Sequence, residues 1–320
     1  MNVEKILKQD RRALARAITL VESQNPEHYP QAFALLDALL PHAKRAVRIG
    51  ISGAPGVGKS TFIEVFGLWL IAQNKSLAVL TVDPSSTQSQ GSVLGDKTRM
   101  QNLSADKRAF IRPSPSSGKL GGVTFATREA LLVCEAAGFD VVIIETVGVG
   151  QSEITVASMV DTFVLLVQPG GGDELQGAKK GILELVDIIV VNKADGDLKK
   201  LANQSASQYL RSVKVPILKA SALHNQGIQE VWQAIEKHRD NLKQTGAFPE
   251  KIKQQNKQWF LEALTENFLK KLKADLKNNA EVDNYLSAID SCEISVAHAA
   301  FLACNRLGKI FLSRGRERLN

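Results

Sequence analysis

The stretch Gly53-Ala54-Pro55-Gly56-Val57-Gly58-Lys59-Ser60-Thr61 constrains this chain more than any other. It fits GxxxxGK[ST] in full, between an expected strand from Val47 to Ser52 and a helical pattern from Lys59 to Ala72. The spacing has a physical reason. Glycines let consecutive backbone N–H groups turn inward as an anion nest, and the following helix adds its N-terminal dipole. Lys59 is placed to reach the outer phosphate oxygens of a nucleotide, and Ser60 to offer a hydroxyl to Mg²⁺. A purely structural glycine turn is the alternative, and the strand–loop–helix context argues against it.

Around this loop, short apolar runs alternate with helical stretches. The expected strands are Val47 to Ser52, Leu77 to Val82, Ala109 to Arg112, Val141 to Glu145, Thr162 to Val167, Asp187 to Val191 and Val215 to Lys219. Several are apolar at successive positions, as when both faces of a parallel strand are buried. Helices are expected at about Lys59 to Ala72, Phe125 to Ala137, Ala178 to Leu185, Leu198 to Leu210 and Ile228 to Lys237. The alternation predicts an α/β fold, a doubly wound, mostly parallel sheet with a P-loop NTPase core. Residues 3 to about 23 read as one helix carrying Ile6, Leu14, Ala17, Ile18 and Val21, and Gln31 to Leu40 as a second, ended by Pro41. After Gly246 the strands stop. Helical patterns follow at 251–276, Ala280 to Ile289 and Ile294 to Cys304, the first with Trp259, Phe260, Leu264, Phe268, Leu269 and Leu272 on one side. The organisation expected is an N-terminal helical extension (1–46), a nucleotide-binding core (47–245) and a C-terminal helical arm (246–320). The arm's stripe packs either on the core or against a second subunit.

Beyond the run ending at Val191 comes Asn192-Lys193-Ala194-Asp195, an NKxD pattern. The Asp195 carboxylate can accept from guanine N1–H and the exocyclic amine, whereas adenine turns an acceptor toward it. An unpaired buried carboxylate supports discrimination on the order of 10⁴. The Lys193 stem can cover the ring, and Asn192 can tie this loop to the phosphate loop. Ser221-Ala222-Leu223 follows the next run, where a backbone N–H can meet guanine O6. The competing role for Asp195 is a helix N-cap.

Three acids fall at strand ends or in loops near the phosphates: Asp83, Asp96 and Glu145. Mg²⁺ takes hard oxygens and few protein groups, so Ser60, Asp83, Asp96 and Glu145 are the metal candidates without all being direct ligands. Glu145-x-x-Gly148 resembles the DxxG of GTPases, which puts the Gly148 N–H on a γ-phosphate and predicts movement of the loop Val147 to Glu153. Lys59, Asp96, Glu145 and Gly148 are the catalytic candidates. Gln151 does not follow Gly148 directly, and no other residue is an obvious general base, which predicts slow turnover accelerated by a partner. A further glycine-rich loop, Gln168 to Gly177, suits a hinge.

Composition excludes several classes. The apolar runs are too short to span a bilayer, and charges interrupt the first twenty residues, so a secretory signal is not expected and a cytoplasmic location is. The net charge of +7 comes from basic residues interleaved with acids, a solvated surface rather than a nucleic-acid stripe. Cys134, Cys292 and Cys304 have no metal-ligand spacing.

The combination resembles the MeaB/ArgK family of GTPases. The matching stretches are GAPGVGKST from Gly53, VDPSS from Val82, GSVLGDKTRM from Gly91, IRPSPSSG from Ile111, ETVGVGQSE from Glu145, GDELQGAKKGI from Gly172, NKAD from Asn192 and SAL from Ser221. One departure is Gln90, where the family has a glycine. The resemblance implies a GTP-hydrolysing chaperone that gates adenosylcobalamin loading and protection of methylmalonyl-CoA mutase or a related B12-dependent acyl-CoA mutase. It also implies GTP/GDP with Mg²⁺, no tightly bound organic cofactor, and a homodimer formed through the C-terminal region. The glycine loop at 170–177 would relay nucleotide state to the mutase. Competing readings are a transport-associated kinase or ATPase, a GTP-driven metallochaperone, and a nucleotide-binding partner protein without turnover.

Overall fold

The computed structural model describes residues 2–83, 100–115, 120–146, 151–170, 180–276 and 279–305, with backbone alone for a few residues at the edges of these segments. Among the described residues, seven strands form one sheet: β1 (Val47–Ser52), β2 (Leu77–Asp83), β3 (Ala109–Pro115), β4 (Val141–Thr146), β5 (Thr162–Val167), β6 (Ile188–Val191) and β7 (Ile217–Lys219). Their order is β3-β2-β4-β1-β5-β6-β7, and every pairing is parallel. The sheet thus winds outward both ways from β1, as expected. Around it lie α1 (Val3–Leu7), α2 (Arg11–Val21), α3 (Tyr29–Leu39), α4 (Lys59–Ala72), α5 (Gln101–Ala105), α6 (Leu120–Ala136), α7 (Gln151–Ala157), α8 (Lys180–Leu183), α9 (Lys199–Ser212) and α10 (Ile228–Gln244). Then come α11 (Ala247–Leu276), α12 (Ala280–Asp290) and a last helical stretch over 296–305.

The strand period of two divides the sheet into two faces. Ile49 and Ile51 of β1 and Val141 and Ile143 of β4 join Phe62, Phe66 and Leu70 of α4 and Trp232 of α10 on one side. Val142 points the other way, to Ile18, Leu35, Leu39 and Leu131. The N-terminal helices therefore cover part of the second face. Ile6, Leu14, Ala17 and Ile18 are all fully buried there.

Local chemistry corrects several expected boundaries. The single helix over 3–23 is two. Asn2 caps α1 through Lys5 N, Asp10 caps α2 through Ala13 N at 2.8 Å, and Gln9 between them takes φ +57°. The short helices α5 and α7 were not anticipated. Because α7 begins at Gln151, residues 151–153 are its first turn rather than part of a loop. Pro249 lies in the first turn of α11, where a missing N–H costs nothing, so this helix begins before residue 251.

At the amino end of the sheet, away from the phosphate loop, charged groups are buried in pairs. Arg48 donates to both carboxylate oxygens of Glu135, at 2.8 and 2.7 Å. Asp161 is fully buried and accepts from Arg45 Nη2 at 2.7 Å and Arg48 N at 3.3 Å, with Arg239 as a second ion-pair partner. Burial pulls the Arg45 guanidinium below its usual range, against the pull of Asp161. Gln255 of α11 donates to Val160 O at 3.1 Å, and Lys251 to Asp161 O at 2.7 Å, which seats the first part of α11 on the core.

The chain divides into two compact units, Met1–Trp259 and Phe260–Asn320. The first holds the sheet and the N-terminal helices together. The second is helical in its described residues apart from 279 and 291–295, and exposes Phe260, Leu261, Leu264, Phe268 and Leu286. Among the described residues, no helix is long and apolar enough to cross a membrane.

Candidate functional site

The phosphate loop leaves β1 at Ser52 and enters α4 at Lys59. Two of its glycines are dictated by close neighbours. A Cβ on Gly53 would stand 2.4 Å from the Leu166 carbonyl oxygen. Gly58 takes φ +92°, and a Cβ there would stand 2.9 Å from Asn192 Nδ2. Lys59 Nζ donates to the carbonyls of Gly53 at 2.6 Å and Ala54 at 3.2 Å, so its ammonium lies over the loop. Ser60 Oγ donates to Glu145 Oε1 at 3.2 Å. Glu145 is buried near the end of β4, opposite Ile51 of β1 in register.

The second half of the site stands beyond β6 and β7. Asn192 N continues the ladder to Val167 O at 2.9 Å, and its side chain donates to Val57 O at 2.9 Å. Lys193 adopts φ +56° and lays Nζ on Gly56 O at 2.7 Å. The NKxD turn is thereby tied to the phosphate loop at two places. Asp195 occupies the N-cap position of a short 3₁₀ turn, Gly196–Leu198, but makes no capping bond with its side chain. Its carboxylate instead accepts from Ser221 Oγ. Ser221 and Gln226 bond each other's backbone, at 2.9 and 3.1 Å. Ala222 N reaches Asn192 Oδ1 at 3.4 Å. The backbone N–H groups of Ser221 and Ala222 are therefore both engaged. Leu223 is 77% exposed at the tip of this loop.

The structure thus brings Gly53 to Thr61, Glu145, Asn192 to Asp195 and Ser221 to Leu223 to the carboxyl end of the sheet, the end where open α/β sheets bind ligands. Asp83 closes β2, but its side chain lies outside the described atoms. Asp96, Gly148, Gln90 and residues 171–177 of the glycine loop also lie outside the described residues. At the start of that loop, Gly170 takes φ +81° and its N–H donates to Ser205 Oγ of α9 at 3.0 Å. Sequence reasoning missed the side chain of Ser221 as Asp195's partner. It also gave no role to the side chains of Ser52, Thr146 and Glu153, which form a buried hydrogen-bonded chain beside the phosphate loop. The cysteines are free thiols, and burial pushes the Cys134 thiol up, out of reach of ionisation. Among the described residues no three His, Cys, Asp or Glu side chains are grouped so that they could hold a metal ion.

A parallel sheet with an anion loop after its central strand, and an NKxD turn tied back to that loop, defines a P-loop nucleoside triphosphatase. Residues 14–277 match the family described as "Methylmalonyl Co-A mutase-associated GTPase MeaB", and the chain belongs to that family. It is 45% identical over 294 residues to "GTPase ArgK" of Escherichia coli, covering 89% of this chain and 88% of that protein. It is 42% identical over 329 residues to "Methylmalonic aciduria type A homolog, mitochondrial" of mouse, covering 97% and 78%. Among solved structures, that of an "LAO/AO transport system kinase" superposes with a TM-score of 0.74 at 35% identity, covering 96% of each chain. The chain is accordingly a GTPase, in a family associated with methylmalonyl-CoA mutase.

Proposed function

We propose that this chain is a GTP-driven chaperone of an adenosylcobalamin-dependent acyl-CoA mutase of the methylmalonyl-CoA mutase type, gating the loading of intact cofactor and protecting it. The observation that carries the reading is the double tie of Asn192 to Val57 and Lys193 to Gly56. Through it, the turn that selects the base and the loop that holds the phosphates form one rigid receptor, so loss of the γ-phosphate is felt at a fixed place.

In this reading the backbone of Gly53 to Thr61 surrounds the phosphates and Lys59 leaves its two carbonyls for the outer phosphate oxygens. Asp195 reads the guanine edge, with Ser221 fixing the carboxylate, and Leu223 flanks the base. Mg²⁺ fits the hydroxyl of Ser60 and the adjacent carboxylate of Glu145, two hard oxygens 3.2 Å apart. Bound there, the ion would neutralise charge on the phosphates. Asp83 and Asp96 are proposed as further acids of the metal site, and Gly148 as the N–H that senses the γ-phosphate. Water attacks the γ-phosphorus, the bond to the β-phosphate oxygen breaks, and GDP and phosphate leave. No described side chain is an obvious base, which supports slow turnover alone and acceleration by the mutase. A homodimer formed through the C-terminal helices belongs to the same reading.

The test is GTP turnover by the full chain with and without candidate B12-dependent mutases, alongside calorimetry with GTP and ATP. The expected result is GTP preference and faster turnover with one mutase. No response to any B12-dependent mutase overturns the chaperone role and leaves the GTPase standing. A transport-associated kinase would instead prefer ATP.

A further inference from the structure

Beside the phosphate loop lies a buried carboxylate to which the reading above assigns nothing. Glu153 stands in the first turn of α7 and is 1% exposed. Its Oε1 accepts from Ser52 Oγ at 3.3 Å. Ser52 Oγ in turn accepts from Thr146 Oγ1 at 2.9 Å. Hydroxyl donates to hydroxyl and then to carboxylate, so the chain runs one way, from Thr146 to Ser52 to Glu153. Ser52 and Thr146 are as buried as Glu153.

Each member stands where an element ends or begins. Ser52 closes β1 and is bonded to Gly53. Thr146 closes β4 and is bonded to Glu145. Glu153 lies on the far side of residues 147–150 in the chain. Three parts of the site that share no covalent neighbour are clasped by two hydrogen bonds. Apolar side chains of similar size would fill the same space without the cost of burying a carboxylate. What they would not supply is direction, because hydrogen bonds fix distance and angle where apolar contacts do not.

We propose that Glu153, acting through Ser52 and Thr146, is a positioning residue for GTP hydrolysis, holding the strand end that bears Glu145 against the start of the phosphate loop. The inference rests on the site reading above, in which the Gly53–Thr61 loop holds phosphates and Glu145 faces the metal. GDP affinity depends chiefly on the base turn and on the backbone N–H groups of Gly53 to Thr61, while the clasp is made of side chains outside both. Hydrolysis depends on the mutual placement of Glu145 and the loop. Misplacement by about 1 Å in such a geometry costs on the order of 10²-fold in rate.

The experiment uses the full chain with Ser52→Ala, Thr146→Val, the double variant, Thr146→Ser and Glu153→Met. Single-turnover GTP hydrolysis with Mg²⁺ and GDP affinity by calorimetry are measured for each. Ser52→Ala and Thr146→Val are expected to slow hydrolysis by roughly 10- to 100-fold, with GDP affinity within about twofold of wild type. Because both break one chain, the double variant should be no slower than the worse single variant. Thr146→Ser, which keeps the hydroxyl, should recover most of what Thr146→Val loses. Glu153→Met should match Ser52→Ala. Should it fail to fold, the hydroxyl variants decide alone. Unchanged rates, or rates and GDP affinity falling in parallel, overturn the proposal. A wild-type chain that binds ADP as well as GDP overturns the site reading and this inference with it. Wild-type discrimination with unaffected variants overturns this inference alone.

Discussion

Asp195 faces two demands. As the proposed reader of the base, it must aim its carboxylate at a base edge, and it must not collapse onto the backbone at the head of its own 3₁₀ turn. The Ser221 hydroxyl meets the second demand by occupying one carboxylate oxygen. Asp195→Asn replaces an acceptor with an amide donor opposite guanine N1–H. GTP affinity should fall by about 10²- to 10³-fold, and xanthosine triphosphate, which offers a carbonyl in place of the amine, should gain. Calorimetry with both nucleotides checks this, and unchanged preference removes Asp195 from base recognition. A second residue-scale expectation concerns Glu129 on α6, whose carboxyl burial pushes up to about 7, against the pull of Arg128. The folded state therefore holds a proton that the unfolded chain releases near pH 4.5. Stability is lost as pH rises from that value to about 7. Glu129→Gln should flatten this part of the profile and, above pH 7, stabilise the protein by roughly 2–3 kcal/mol, read from urea unfolding at several pH values.

At the scale of elements, β1 with its following loop carries the most information. Gly53 sits where a Cβ would meet a backbone oxygen of β5, which cannot swing aside as a side chain would. Gly53→Ala should cost about 2–4 kcal/mol of stability and abolish GDP binding. Gly138→Ala, at φ +82° with open space around it, should cost only the conformational penalty of about 1–2 kcal/mol and leave binding intact. Thermal melts and GDP titration separate the two. The same contrast explains what was legible beforehand. β5 matches its expected bounds because it is an apolar run between two packed faces, and β1 because Val47, Ile49 and Ile51 alternate directly ahead of the phosphate loop, patterns that need no partner to be recognised. The break at Gln9 was not legible, because the apolar positions on either side keep helical phase and only the Asn2 and Asp10 caps betray two helices. α7 escaped for the opposite reason. It has seven residues, about two turns, with Ile154 exposed and Val156 buried, too short for a period to register. Within the site, Gly53 to Thr61 and Asn192 to Asp195 were legible because their chemistry is local in sequence. Ser52, Thr146 and Glu153 were not, because a serine at a strand end says nothing until β1 and β4 are known to be neighbours. The bond from Ser221 to Asp195 likewise awaited the pairing of β6 with β7.

At the scale of the whole molecule, the question is what covers the helical arm. Phe260, Leu264 and Phe268 recur at four-residue spacing on α11, and each is more than half exposed. Leu261 and Leu269 lie beside them, also exposed. An exposed apolar stripe of this kind on a helix is the surface that the proposed homodimer would use. Burying such side chains contributes about 1.5–3 kcal/mol each, so a few suffice to hold two copies together at micromolar concentration. Basic and acidic residues flank the stripe on the same helix, among them the i,i+4 pair Glu266–Lys270 at 3.0 Å, which keeps the rim polar as interfaces between copies require. Phe260→Glu with Phe268→Glu would place two like charges in the middle of each half of such an interface. Sedimentation velocity should then show a monomer where the wild type sediments as a dimer. GTP affinity should be unchanged, because the base turn and phosphate loop both belong to the first compact unit. A wild-type chain that sediments as a monomer at tens of micromolar removes the second copy as the occupant of this face and leaves it to the mutase, in which case the same double variant should lose mutase-stimulated turnover while keeping its intrinsic rate.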